Sequence, residues 1–253
     1  MLVAQCLLAI VPALTATGTT QAGPGKAESL TSLLQSGDPE KRSKGYEEAE
    51  TRATLSPEEI RALVRSLQYR DDPALEKFTP YGPSTGATRV TRILVSHFRE
   101  TLPFLVEGLR DSDWNVRRHV AFAMGASCDR QVVPHLENAM KEELARAEHS
   151  FVKPPNGRQS HLLSVLVALA QAHARLDPVG AFDECLGLFG AGRRNFRNLA
   201  ANVMLGEIVR HPPGNRMDGK NEEWSNCRAT WAGWWRENRG KPVGELFSVE
   251  ICR

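Results

Sequence analysis

Val116-Arg117-Arg118-His119-Val120-Ala121-Phe122-Ala123-Met124-Gly125 is the stretch that decides how this chain folds. Val116, Val120, Ala123 and Met124 fall at i, i+4, i+7 and i+8, which draws one apolar stripe along a helix. Ala121, Ala123 and Gly125 are small, so a neighbouring helix can approach closely, and the arginines sit near the helix start. The polar break Asp111-Ser112-Asp113 separates this helix from an upstream apolar face made by Leu102, Leu105, Val106 and Leu109.

The same spacing recurs in both directions. Upstream, Ser56-Pro57-Glu58-Glu59 reads as a capping box, with Ser56 and Glu59 each satisfying the other's backbone N–H. It opens a helix with Ile60, Leu63, Val64 and Leu67 on one face. Gly37-Asp38-Pro39 closes one helix and opens the next. Downstream come Val133, Leu136, Met140 and Leu144, then Leu162 to Ala170, apolar almost all round as in a helix buried between neighbours. Phe182, Cys185, Leu186 and Phe189 follow, and then Phe196, Leu199, Ala200 and Val203. Strand signals are scarce, and short helices in series with polar turns predict an all-α solenoid of stacked helix pairs.

Internal repetition narrows this. Val116-Arg117, Val120-Ala121 and Ala123-Met124-Gly125 resemble the second-helix pattern of HEAT-like repeats. Phe196-Arg197 with Ala200-Ala201 and Val203-Met204 resembles it again, and Val165-Leu166 with Ala168-Leu169-Ala170 is a looser copy. Leu102-Pro103 and Val133-Pro134 read as first-helix starts whose prolines lie 31 residues apart, a spacing suited to helical repeats. The chain thus resembles HEAT-like repeat proteins, of the kind also found in phycobilisome-lyase-type repeats. It divides into a signal-like segment (1–22), a linker with capping helices (23–55), a repeat array (56–212) and a tryptophan-rich cap and tail (213–253). The bilin attachment that a lyase-type resemblance implies has no supporting site in the sequence.

Lys+Arg at 32 against Asp+Glu at 30 gives a net charge of +2. That balance does not favour nucleic acid, which attracts a strong basic excess. The first 22 residues carry no Asp, Glu, Lys or Arg, and the apolar run Leu2 to Leu14 is followed by Ala16, Gly18 and Ala22. This reads as a secretory signal peptide, although it lacks a basic n-region. A periplasmic or secreted location follows as an expectation, with no membrane span once the leader is removed, since the run is too short to cross a bilayer. Of the cysteines beyond it, Cys227 and Cys252 share the terminal segment and are the expected disulfide; Cys185 is expected in the core.

Four of the five tryptophans lie within 12 residues. Trp224, Arg228, Trp231 and Trp235 share one helix face, with Trp234 on its flank. This W-x2-WW-x2-NRG-K tail resembles that of secreted bacterial HEAT-repeat proteins. The face either closes the solenoid's open end, the preferred reading because terminal repeats need a cover, or binds a peptide or sugar through exposed indoles. Arg117 and Arg118, and Arg193, Arg194 and Arg197, are the basic clusters. They either grip a partner's acidic groups or bond turn carbonyls and acids such as Asp111 and Asp113. The seven histidines are scattered singly and read as surface or turn residues, and Glu142-Glu143 as a solvated face or a cap. No metal or cofactor set and no catalytic motif is recognisable. The expectation is a non-enzymatic interaction protein with another protein as partner. An enzyme or accessory site in the 71–85 or 149–158 loops, or a sugar-binding module, is the alternative.

Overall fold

The computed structural model describes residues 28–69, 89–150, 158–190, 196–213 and 224–252. The 1–22 segment, the 71–85 loop, most of the 149–158 loop, and Arg193 and Arg194 lie outside them. Among the described residues the chain is all α, and it is an α-solenoid. Helices α1 (Leu30–Leu34) and α2 (Pro39–Thr51) form the first pair, followed by α3 (Pro57–Ser66) with α4 (Arg89–Ser96) and α5 (Phe98–Gly108) with α6 (Trp114–Ala126). Next come α7 (Val133–Ser150) with α8 (Arg158–Leu176) and α9 (Pro178–Gly187) with α10 (Phe196–Ile208), before α11 (Trp224–Asn238) and the short α12 (Val243–Leu246). No described helix is long and apolar enough to cross a membrane.

The helix starts follow from local chemistry. Ser56 Oγ accepts from Glu59 N at 3.3 Å while Glu59 Oε2 accepts from Ser56 N at 2.8 Å, completing the capping box. Asp38 accepts from Glu40 N at 2.9 Å with Pro39 in the first turn. One expected start is displaced: Pro103 lies inside α5, which begins five residues earlier at Phe98. Thr101 Oγ1 donates to Leu94 O at 2.8 Å across the α4–α5 corner and anchors that early first turn.

The second helix of each pair stacks on the next, so α2, α4, α6, α8 and α10 form one row; α1, α3 and α5 run beside it. The most extensive contact is α6 on α8. A Cβ placed on Gly125 would stand 2.7 Å from Cα of Ala172 and 2.8 Å from its Cβ, so glycine is the residue that lets these axes close. Val116, Val120 and Met124 on α6 and Leu166 and Leu169 on α8 are all buried around this approach. Full burial of each such side chain is worth about 1.5–3 kcal/mol.

The C-terminal tail straps this row. Arg210 N donates to Leu246 O and Ser248 N to Ile208 O, both at 2.8 Å, at the end of α10. Cys252 N then donates to Arg175 O at 2.8 Å at the end of α8. Finally Cys252 bonds Cys128 just beyond α6, with Cα atoms 5.3 Å apart. The expected Cys227–Cys252 bridge is therefore corrected. Cys227 is a buried thiol on α11, outside the disulfide, that donates to Asn202 Oδ1 at 3.4 Å, and the tail has left α11 behind before Cys252 is reached. Cys128 has φ 57°, the left-handed position after a helix end that glycine usually takes, and the crosslink holds it there.

Non-reducing peptide mapping should recover the Cys128 peptide joined to that of Cys252, and not to that of Cys227. The bridge closes a loop with a sequence separation of 124, so reduction should cost about 4–5 kcal/mol by loop entropy, read from denaturant midpoints.

Candidate functional site

A groove of about 940 Å³ opens where the turn before α6, the second half of α7 and the start of α8 meet. The turn is rigid for local reasons. Asp111 Oδ1 accepts from Asp113 N and Asp113 Oδ1 from Asn115 N, both at 2.7 Å. Asn115 Nδ2 then donates to Leu67 O at 2.7 Å, fastening the start of α6 to the end of α3. Trp114, the first residue of α6, is thereby presented to the groove. Its indole lies flat on the His161 ring of α8, with centroids 4.4 Å apart and planes 5° from parallel.

Charged side chains line the remaining wall as an alternating chain. Arg110 Nε donates to Glu142 at 3.1 Å. Arg146 pairs with Glu142 at 4.0 Å and with Glu143 at 2.6 Å. Glu143 also takes Arg117 through Nε and Nη2, and Arg117 Nη1 donates to Asp111 O at 2.8 Å and Ser112 O at 3.0 Å. With Asp111 and the buried Glu143 counted in, three carboxylates accompany three guanidiniums; the charged residues that line the groove itself are Arg110, Asp111, Arg117, Glu142 and Arg146. The Arg117 and Glu143 side chains are 6% and 1% exposed, so Glu143 is a buried hub and not part of a solvated face. Two buried charges need mutual pairing and further hydrogen bonds to offset their desolvation, and the turn carbonyls supply these.

The other expected site residues fall elsewhere. Arg118 is buried with its guanidinium 5.2 Å over the Phe122 ring, and Arg197 is exposed on α10. The tryptophans pack inward. Trp231 is 4% exposed and its Nε1 donates to Asn202 Oδ1 at 3.0 Å. Trp231, Trp234 and Trp235 surround Phe182 of α9 with ring centroids 6.2, 5.7 and 4.4 Å away. Trp235 also meets Phe247 edge-on. This is the geometry of a cover over the last helix pair; the side chain of Trp224 lies outside the described residues.

Two histidines depart from the surface-or-turn expectation. His119 is buried on α6, and burial, with the neighbouring Arg118 charge, pushes its pKa down to about 3. It is therefore neutral near pH 7. His173 is fully buried on α8. Cys185 is in the core as expected, where burial and the nearby Glu184 raise its thiol pKa strongly. Neither the Trp114–His161 stack nor the Glu143 hub was visible beforehand. The sequence signal for the hub was present: Glu143 falls seven residues after Leu136 and three after Met140, on the apolar side of α7, whereas Glu142 falls on the opposite side.

Residues 90–149 match the family model described as HEAT repeats. The match runs from α4 to α7 and includes the best-formed repeat and two walls of the groove. No curated protein and no solved structure matches the chain.

Arg117→Ala leaves Glu143 buried with half its partners gone and should cost about 3–5 kcal/mol in thermal or chemical denaturation. Arg110→Ala, at a side chain 64% exposed, should stay within about 0.5 kcal/mol of the parent. Equal effects from the two would mean that Arg117 is no more internal than Arg110.

Proposed function

We propose that this chain is a non-enzymatic scaffold that acts outside the cytoplasm and holds an extended segment of another protein in the Trp114–His161 groove. The observation that carries the reading is the composition of that groove. A flat aromatic stack sits beside a charge-compensated rim, on elements held rigid by capping and by the Glu143 hub. Such a surface suits an apolar side chain flanked by a carboxylate: the stacked indole and imidazole supply apolar area, and Arg110, exposed at the rim, has guanidinium donors beyond the Nε that Glu142 takes. Helical-repeat arrays bind partners on extended surfaces of this kind, and the match to HEAT repeats points the same way.

The extracytoplasmic location rests on the apolar leader with its small-residue exit. The Cys128–Cys252 bridge supports it, because such bonds persist in oxidising compartments. Sugar binding through the C-terminal tryptophans loses ground, since Trp231, Trp234 and Trp235 are spent on Phe182 and Phe247.

A photo-crosslinking amino acid at Arg110, introduced into the full chain in its natural host, should trap one protein. Trp114→Ala should reduce that adduct at least tenfold, since a central aromatic anchor carries about 2 kcal/mol or more of binding. Arg110→Glu, tested with the crosslinker moved to Arg146, should reduce it as well. An adduct that survives both substitutions, or retention on polysaccharide without any protein adduct, would overturn the proposal.

A further inference from the structure

His173 sits at the meeting point of three helices with its two ring nitrogens in different company. Nδ1 lies 3.1 Å from Oε2 of Glu184 on α9, and Nε2 lies 4.0 Å from Oε1 of Glu137 on α7. The side chain is 1% exposed, and Nε2 is sealed from solvent without a hydrogen-bond partner. One donor atom from each of the three residues lies within 4.8 Å of the other two. A buried polar atom left unsatisfied costs about 1–3 kcal/mol, so something is expected to occupy the space between Nε2 and Glu137.

We propose that Glu137, His173 and Glu184 form a binding site for a divalent transition-metal cation. An ionised Glu184 only accepts hydrogen bonds, so the imidazole proton resides on Nδ1 and the lone pair on Nε2 points toward Glu137. That is the division of labour in a carboxylate–histidine–metal arrangement, where an outer carboxylate fixes the tautomer and raises the basicity of the ligating nitrogen. Nε2 and Glu137 are the protein ligands, and Glu184 is the positioning residue.

The distances suit this. Two donors about 2.0–2.2 Å from one tetrahedral zinc stand about 3.4 Å apart. The 4.0 Å gap closes to that by a shift of under an ångström. Glu137 is the group free to make it, with a side chain 39% exposed. The same exposure gives the ion an entry path and lets water fill the remaining positions. One imidazole nitrogen with one carboxylate favours zinc, cobalt or nickel over calcium or magnesium, which prefer all-oxygen sets. The competing occupant is a proton: a doubly protonated His173 bridging the two carboxylates would leave no room for a metal.

The test uses the full chain, stripped with chelator and titrated with zinc chloride by calorimetry, with cobalt(II) followed in the visible spectrum. Saturable binding of one equivalent is expected, with cobalt absorption of a nitrogen- and oxygen-ligated site. Glu137→Gln, at a half-exposed position that tolerates the change, should abolish it. Glu184→Gln should weaken it 10- to 100-fold, the effect of losing an outer-shell carboxylate. Absence of saturable binding in the parent would overturn the proposal in favour of the protonated bridge. One-equivalent binding that persists unchanged in Glu137→Gln would overturn it by placing the ion elsewhere.

Discussion

Close approach of α6 and α8 sets the geometry on which the other features depend. With Gly125 against Ala172 at a distance no larger side chain permits, the apolar stripe of α6 and the almost wholly apolar α8 share one interior. Once these two helices are in register, α7 must lie beside α8, which brings Glu143 under Arg117 and His161 over Trp114. On the other side, α9 must follow α8 closely enough for Glu184 to reach His173. The candidate groove and the three-residue cluster around His173 are thus two consequences of one packing constraint, at opposite ends of the same helix.

The second constraint is the tail. A solenoid has open ends and few contacts of long sequence range, so its repeats can part like a stack that has no tie. Here α11 covers the last pair with tryptophans packed on Phe182. The residues after it run back over the ends of α10, α8 and α6 to the bond at Cys128. The last residues are thereby fixed to the middle of the array. That connection couples the row of second helices through a covalent bond as well as through packing.

Much of this architecture was legible in the sequence because it is written in local rules. The capping box at Ser56 and Glu59, the Asp38-Pro39 start and the faces of Ile60–Leu67 and Val116–Met124 depend on residues three or four apart. The small residues at the end of α6 were readable as a site of close approach. Three-dimensional pairing was not. Cys227 and Cys252 are near in sequence, yet the partner of Cys252 is Cys128, because a return path of the tail cannot be inferred from spacing. Arg117 was readable as a turn-bonding or partner-binding residue, and its burial with Glu143 follows only once α7 is placed. His173 and Glu184 are a helix apart and Glu137 lies on a third helix, so no linear motif announces them.

The close contact makes α6 and α8 one cooperative unit, and a direct measurement tests this. Native-state hydrogen exchange would follow the amides of both helices in the parent and in Gly125→Ala. Cooperative units exchange with a common opening free energy. α6 and α8 should share the highest protection among the described helices. Gly125→Ala should lower both together, by about 1–3 kcal/mol for an overpacked contact. Loss of protection in α6 alone, with α8 unchanged, would contradict it.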